Sequence, residues 1–149
     1  MTALFDIAPA APGDIADVVA LLRAAGLPSA DVTADGPVRI LAAHDGGRLV
    51  GAVGLETYGP SGLLRSLVVT PDVRGTGLGG QLGTAIEDDA RAHGLVRLYL
   101  LTETAEPFFA ARSYVPVARA DVPGAVSHSS QFAALCPASA ACLTKPLSP

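Results

Sequence analysis

The sequence predicts an α/β fold, a mixed α+β sheet with helices packed on it. Three observations lead there. Short apolar runs alternate with amphipathic helical segments along the 149 residues. Two turn signals, Asp45-Gly46-Gly47 and Gly59–Gly62, join neighbouring apolar runs as hairpins do. The stretch Leu63–Gly94 then reads as strand, short turn, glycine-rich loop and helix, the pattern of a crossover.

Each element follows from local pattern. Ala3–Ile7 is a short opening strand. Asp14 caps a helix to Ala25, with Ile15, Val18, Val19 and Leu22 on one face and Gly26 as its stop. Pro28–Pro37 is a polar loop, followed by strands Val38–Ala43, Leu49–Tyr58 and Leu63–Val69. The helix after the glycine-rich loop spans Leu78–Ala92, since Leu82, Ile86 and Ala90 recur at helical spacing and Gly94 ends it. Arg97–Leu101 is a buried strand, Ala105–Arg112 a short helix and Val115–Arg119 a strand. Val122–Leu135 is mixed, with a helical turn, and Ser139–Lys145 is the last strand.

Composition excludes several classes. The length suits one domain over residues 1–149. Half the residues are apolar (50%) and 16% are charged, which excludes a disordered chain. A net charge of −4 without a long basic run argues against nucleic acid as partner. Asp6 interrupts the N-terminal apolar residues, so no signal peptide is expected, and no run is long enough to span a bilayer. Cytoplasmic residence without a membrane partner is the resulting expectation, and a mean hydropathy of +0.42 is compatible with a homodimer interface. Cys136 and Cys142 cannot make a tetrahedral zinc site by themselves and read as small buried hydrophobes, so no metal is expected.

The loop Arg74–Gly80, RGTGLGG, carries the chemistry. A glycine-rich turn at a helix N-terminus exposes consecutive N–H groups at the positive end of the helix dipole, where phosphate binds. The Walker A pattern fails, because Gln81 and Leu82 follow Gly80 where Lys-Ser/Thr is required. The dinucleotide pattern G-x-G-x-x-G fits as Gly75-Thr76-Gly77-Leu78-Gly79-Gly80, with Glu103 as a ribose-binding acid. It is the weaker fit, since Thr70–Arg74 separate the strand from the first glycine. The acyl-CoA pyrophosphate pattern Q/R-x-x-G-x-G/A fits without a gap on Arg74, Gly77 and Gly79, preceded by Val69 and Pro71.

With these residues the chain resembles the GCN5-related N-acetyltransferase superfamily. The resemblance implies a central, splayed, mostly antiparallel sheet flanked by helices, with strands parting around Val68 and Leu98. It implies acetyl-CoA as cosubstrate, its pyrophosphate held by Arg74, Gly75, Thr76, Gly77, Leu78, Gly79 and Gly80. Leu67, Val68 and Val69 would offer backbone groups to the pantetheine arm, one N–H near Val68 or Val69 facing the thioester oxygen. Thr102 falls where the superfamily often has asparagine against the pantetheine. Phe109, also expected against the cofactor, replaces the tyrosine that protonates the leaving thiolate in many members, while Tyr114 falls on a structural aromatic position. A thiolate with a conjugate-acid pKa of about 8.5 can leave without that proton, or Ser113 or water can supply it.

The base has several candidates. Leu63–Val69 lacks the glutamate that several relatives carry there, leaving Arg65 and Ser66 as its polar residues. Glu56 on the neighbouring strand is the first replacement, Glu103 the second, and Ser66 completes the catalytic candidates. His128 is a further base candidate and, with Arg65, a substrate contact. Arg65 either enters the substrate cleft to pair with an anionic group or points outward against Glu56.

Two longer segments, Gly54–Gly79 and Ser129–Leu143, together with Ala105–Phe109, resemble the arsenic-resistance N-acetyltransferases of bacterial arsenic operons. That resemblance implies acetylation of a small amine, including an amino acid bearing an arsenic or phosphorus oxyacid. The competing reading is a non-catalytic acyl-CoA-binding sensor. Acetylation of protein lysines is a third, and would require an open acidic groove.

Overall fold

The computed structural model describes residues 5–129, 132 and 140–147. A seven-stranded sheet runs β1 (Asp6–Pro9), β2 (Arg39–Asp45), β3 (Arg48–Tyr58), β4 (Ser61–Val69), β5 (Arg97–Thr102), β7 (Ala141–Pro146), β6 (Val115–Pro116) in spatial order. With them come helices α1 (Ile15–Ala24), α2 (Leu78–Ala92), α3 (Glu106–Ala111) and α4 (Gly124–Ser127). The α/β expectation therefore holds: β1–β2 and β2–β3 are antiparallel, and β4–β5 is parallel across α2.

Local chemistry explains most boundaries. Gly46 and Gly47, at φ +58° and +87°, form a two-residue hairpin closed by the pair Asp45↔Arg48. Two consecutive positive φ values suit the right-handed twist of the flanking strands. Residues 3 and 4 of the expected strand Ala3–Ile7 lie outside the described residues, and β1 runs Asp6–Pro9; Pro9 is tolerated because β1 is an edge strand. Asp14 does not cap α1 with its side chain. Its Oδ2 accepts the Ala11 N–H at 3.1 Å and its Oδ1 lies 3.2 Å from His44 Nε2, closing the short 3₁₀ turn Pro12–Asp14 instead. The expected strand Val115–Arg119 shrinks to Val115–Pro116; Val117 N–H still donates to Cys142 O at 3.0 Å, and Arg119–Asp121 then enters a 3₁₀ turn.

Clustering of the chain gives two compact units. The first comprises the chain up to Glu56 together with Arg65–Asp89. Its core joins Val18 and Leu22 of α1 to Val32, Val38, Ile40, Ala52 and Val68. The second comprises Thr57–Leu64 and the chain from Ala90 onward, with Leu63, Tyr99, Val122, Val126 and Cys142 at its centre. There β5 pairs with β7 along its whole length, from Arg97↔Pro146 to Thr102↔Ala141. The expectation of a single domain over 1–149 stays an expectation beside this division.

Helix α3 ends in a left-handed residue. Ser113 has φ +76°, its N–H bonds Ala110 O at 3.1 Å, and Tyr114 N–H bonds Phe109 O at 3.0 Å. Glycine normally takes this post, because a Cβ is strained there. Ser113→Gly is expected to raise stability by up to about 1 kcal/mol, read as a higher thermal midpoint; an unchanged or lower midpoint would show that the serine is not strained.

Candidate active site

The glycine-rich loop is built by its own backbone. Thr70 N–H bonds Val50 O at 2.9 Å and fixes the end of β4; a 3₁₀ turn, Pro71–Val73, then lifts the chain away. Thr76 Oγ1 donates to Val73 O at 2.6 Å, and Gly75 and Gly77 take φ of +83° and +92°. Helix α2 starts at Leu78, and Gln81 N–H, 3.1 Å from Gly77 O, donates back at its first turn. The N–H groups of Leu78, Gly79 and Gly80 precede that bond and have no acceptor inside the helix. The first turn of α2 carries no acidic residue to fill the positive end. Arg74 is exposed beside it, its Nε donating to Val69 O at 3.2 Å. Sequence reasoning missed one supporting residue, Gly51 on β3. A Cβ there would come within 3.0 Å of Val68 O and 3.1–3.2 Å of Leu82 and Leu78 side-chain carbons. Glycine lets the start of α2 lie directly on the sheet.

Strand β4 is not regular. Ser66 takes φ +60° in its middle, a left-handed conformation rare for a residue with a Cβ. Such a kink re-aims the peptide groups that follow it, here Leu67–Val69. Val68 packs into the core while Leu67 and Val69 are half-buried.

Arg65, just before the kink, gathers three of the side chains around it. Its Nε donates to Ser66 Oγ at 3.0 Å, and its Nη1 to Glu56 Oε2 at 2.9 Å. Nη1 and Nη2 also grip Asp31 Oδ2 and Oδ1 at 2.5 and 2.6 Å, a two-pronged fork. The Arg65 and Glu56 side chains are 1% and 4% exposed, and Asp31 is 20% exposed. Burial works against the Arg65 charge, but the hydrogen bonds of Asp31 and then Glu56 outweigh it and raise the guanidinium's pKa. Burial likewise pushes Asp31 up, and Arg65 more than reverses this, leaving it below the usual carboxylate range. Arg65 meets Glu56, as one of the two expected placements had it, but it does so buried and not turned outward. The structure brings Glu56, Arg65 and Ser66 together and adds Asp31, from the loop before β2, which no local pattern marked.

The remaining candidates lie in the second unit. Thr102 Oγ1 accepts the Ala105 N–H at 3.0 Å and braces the entry to α3. Glu103 is exposed, as is His128 after α4. Phe109 is buried and meets Tyr114 edge-on, with ring centroids 5.3 Å apart. Tyr114 is 2% exposed, which suits a packing role. Cys142 is buried and burial raises its thiol pKa, whereas Cys136 lies outside the described residues, as do 130, 131 and 133–139 of the segment Ser129–Leu143. Among the described residues, no group of three His, Cys, Asp or Glu could hold a metal ion, and no helix is long and apolar enough to cross a membrane.

A family model described as the Acetyltransferase (GNAT) family matches residues 15–114. The chain belongs to the GNAT acetyltransferase family. This GNAT chain is 39% identical over 82 residues to an amino-acid acetyltransferase of Ralstonia nicotianae, covering 54% of this chain and 18% of the relative. It is 40% identical over 67 residues to an IAA acetyltransferase of Azospirillum brasilense, covering 44% of each. It thus spans less than half the length of either curated relative. Among solved structures it superposes on the N-acetylglutamate synthase of Neisseria gonorrhoeae, complexed with coenzyme A and N-acetyl-glutamate, with a TM-score of 0.84. That match is 23% identical and covers 100% of this chain and 36% of the other. At that identity the likeness establishes the GNAT fold.

Proposed function

We propose that this GNAT chain transfers the acetyl group of acetyl-CoA to the amine of a small polar molecule. One observation carries the reading: the two left-handed glycines deliver the open N–H groups of Leu78–Gly80 to the start of α2, free of acidic side chains, at the end of a kinked strand. Those donors fit a diphosphate. Arg74 would add charge at its edge, and the peptide groups of Leu67–Val69 would receive the pantetheine amides. Acetyl-CoA supplies an acyl group activated as a thioester. The amine nitrogen bonds to the carbonyl carbon, the carbon–sulfur bond breaks, and the sulfur leaves as a thiolate. The amine's proton passes to Glu56 or to water, with Ser66 and Glu103 as the other candidates. A backbone N–H of Val68 or Val69 facing the developing oxyanion would contribute on the order of 10²–10³ in rate. Thr102 and Phe109 complete the proposed cofactor contacts, and Arg65 and His128 the substrate contacts.

The acceptor class follows from several supports. The curated relatives are named for acetylation of amino acids and of IAA, and the segments Gly54–Gly79 and Ala105–Phe109 resemble arsenic-resistance acetyltransferases. A small amino acid, including one bearing an arsenic or phosphorus oxyacid, fits both. We place this chemistry in the cytoplasm, in a protein able to form a homodimer. Buried Phe109, which has no proton to give, favours a second reading, an acyl-CoA sensor without turnover. Thiol release from acetyl-CoA with a panel of amino acids and their arsenic and phosphorus analogues separates the two. Release with any amine supports the enzyme; coenzyme A binding with no release supports the sensor. Glu56→Gln is expected to lower turnover at neutral pH by roughly 10²-fold or more, with partial recovery at alkaline pH. An unchanged pH profile removes Glu56 from the proton path.

A further inference from the structure

We propose that the outer face of Arg65 is a seat for the carboxylate of the acceptor, and that Asp31 closes this seat in the free protein. The inference rests on the proposed acetyl transfer only in placing the acceptor beside β4; the carboxylate seat itself is read from the cluster.

Asp31 engages Nη1 and Nη2 together at 2.5 and 2.6 Å, the arrangement in which guanidinium binds any free carboxylate. The other partners sit elsewhere on the same group, Ser66 on Nε and Glu56 sharing Nη1. Exposure then separates the two carboxylates. Glu56 is enclosed, whereas Asp31 is the member that solvent reaches. Asp31 also comes from irregular chain between α1 and β2, while Glu56 and Arg65 stand on adjacent strands. Withdrawing Asp31 therefore uncovers two parallel N–H donors and leaves the strand-borne pair in place.

Charge fixes the ligand class. Arg65 and Glu56 cancel, and Asp31 brings the cluster to one net negative charge. A carboxylate entering as Asp31 leaves keeps that charge constant, so the exchange strands no buried ion. An acceptor without a carboxylate gains nothing from it. Arg65 directly precedes Ser66 and the Leu67–Val69 peptides, so a carboxylate held there sets its neighbouring amine beside the strand proposed to carry the thioester. The acceptor class that fits is the α-amino acid, with amine and carboxylate on one carbon, and Asp31 becomes the residue that sets its selectivity.

The test compares amino acids with their decarboxylated amines, L-leucine with 3-methylbutylamine and L-alanine with ethylamine, in the wild type, Asp31→Ala and Asp31→Asn. The readout is the ratio of kcat/KM for amino acid over amine, relative to the wild-type ratio, so that the different nucleophilicities of the amines cancel. Asp31→Ala is expected to raise this ratio at least tenfold, through KM. Asp31→Asn, which keeps the side-chain volume, is expected to raise it less. A purely structural aspartate would change both substrates alike, and an unchanged ratio overturns the proposal. A second readout needs no turnover: sodium acetate, against sodium chloride at equal concentration, should raise the thermal midpoint of Asp31→Ala and not that of the wild type. If no amine is acetylated by any variant, the acetyl-transfer reading fails and acetate alone decides the seat. A selective rise supports it, and no rise overturns it.

Discussion

Gly77→Glu is expected to abolish coenzyme A binding while leaving the secondary structure intact. Gly77 takes φ +92°, where a side chain costs about 1–2 kcal/mol. The larger effect is electrostatic. A carboxylate at this position stands next to the N–H groups of Leu78, Gly79 and Gly80, takes those donors for itself and repels a diphosphate. Gly77→Ala adds the Cβ without the charge and separates the two contributions. Affinity should fall at least 100-fold in the glutamate variant and far less in the alanine variant, measured by calorimetry with coenzyme A. The residue is exposed on a surface loop, so circular dichroism should be unchanged. Undiminished binding to Gly77→Glu would remove the loop from the account.

Arg65→Ala is expected to destabilise the protein by about 3–5 kcal/mol, because it removes the buried cation that Glu56 and Asp31 both engage and leaves a void in its place. Urea unfolding measures this, and a loss below about 1 kcal/mol, the scale of a surface ion pair, would contradict the buried geometry. The same ion pair gives the wild type an acid dependence with a definite sign. Asp31 is held below its usual range in the folded chain, so in acid the unfolded chain binds more protons. The stabilisation is complete above the unfolded value near 3.9 and disappears as pH falls through the lower folded value. Arg65→Ala should remove that portion of the acid loss, and an identical profile below pH 4 would count against it.

What the sequence made legible was local. The hairpin at Gly46-Gly47 and the limits of α2 follow from residues in direct succession, whose chemistry determines their own backbone. The turn within Arg74–Gly80 was readable for the same reason, since its left-handed glycines and the start of α2 are contained in seven consecutive residues. Contacts made across the chain were hidden. Asp31 meets Arg65 over 34 positions, and a lone aspartate in a polar loop gives no sign of a buried partner. Gly51 looked like an ordinary strand residue until α2 was seen pressed against it. The kink at Ser66 was equally hidden, because serine carries no conformational signal of the kind glycine does. Nor does any local pattern place β7 between β5 and β6, an order decided by distant pairing.

A crystal structure of this chain with coenzyme A is the most direct test. The account predicts diphosphate oxygens within hydrogen-bonding distance of the N–H groups at Leu78–Gly80, and the pantetheine amides paired with the Leu67–Val69 backbone. Coenzyme A bound elsewhere, with those N–H groups left to water, would contradict it.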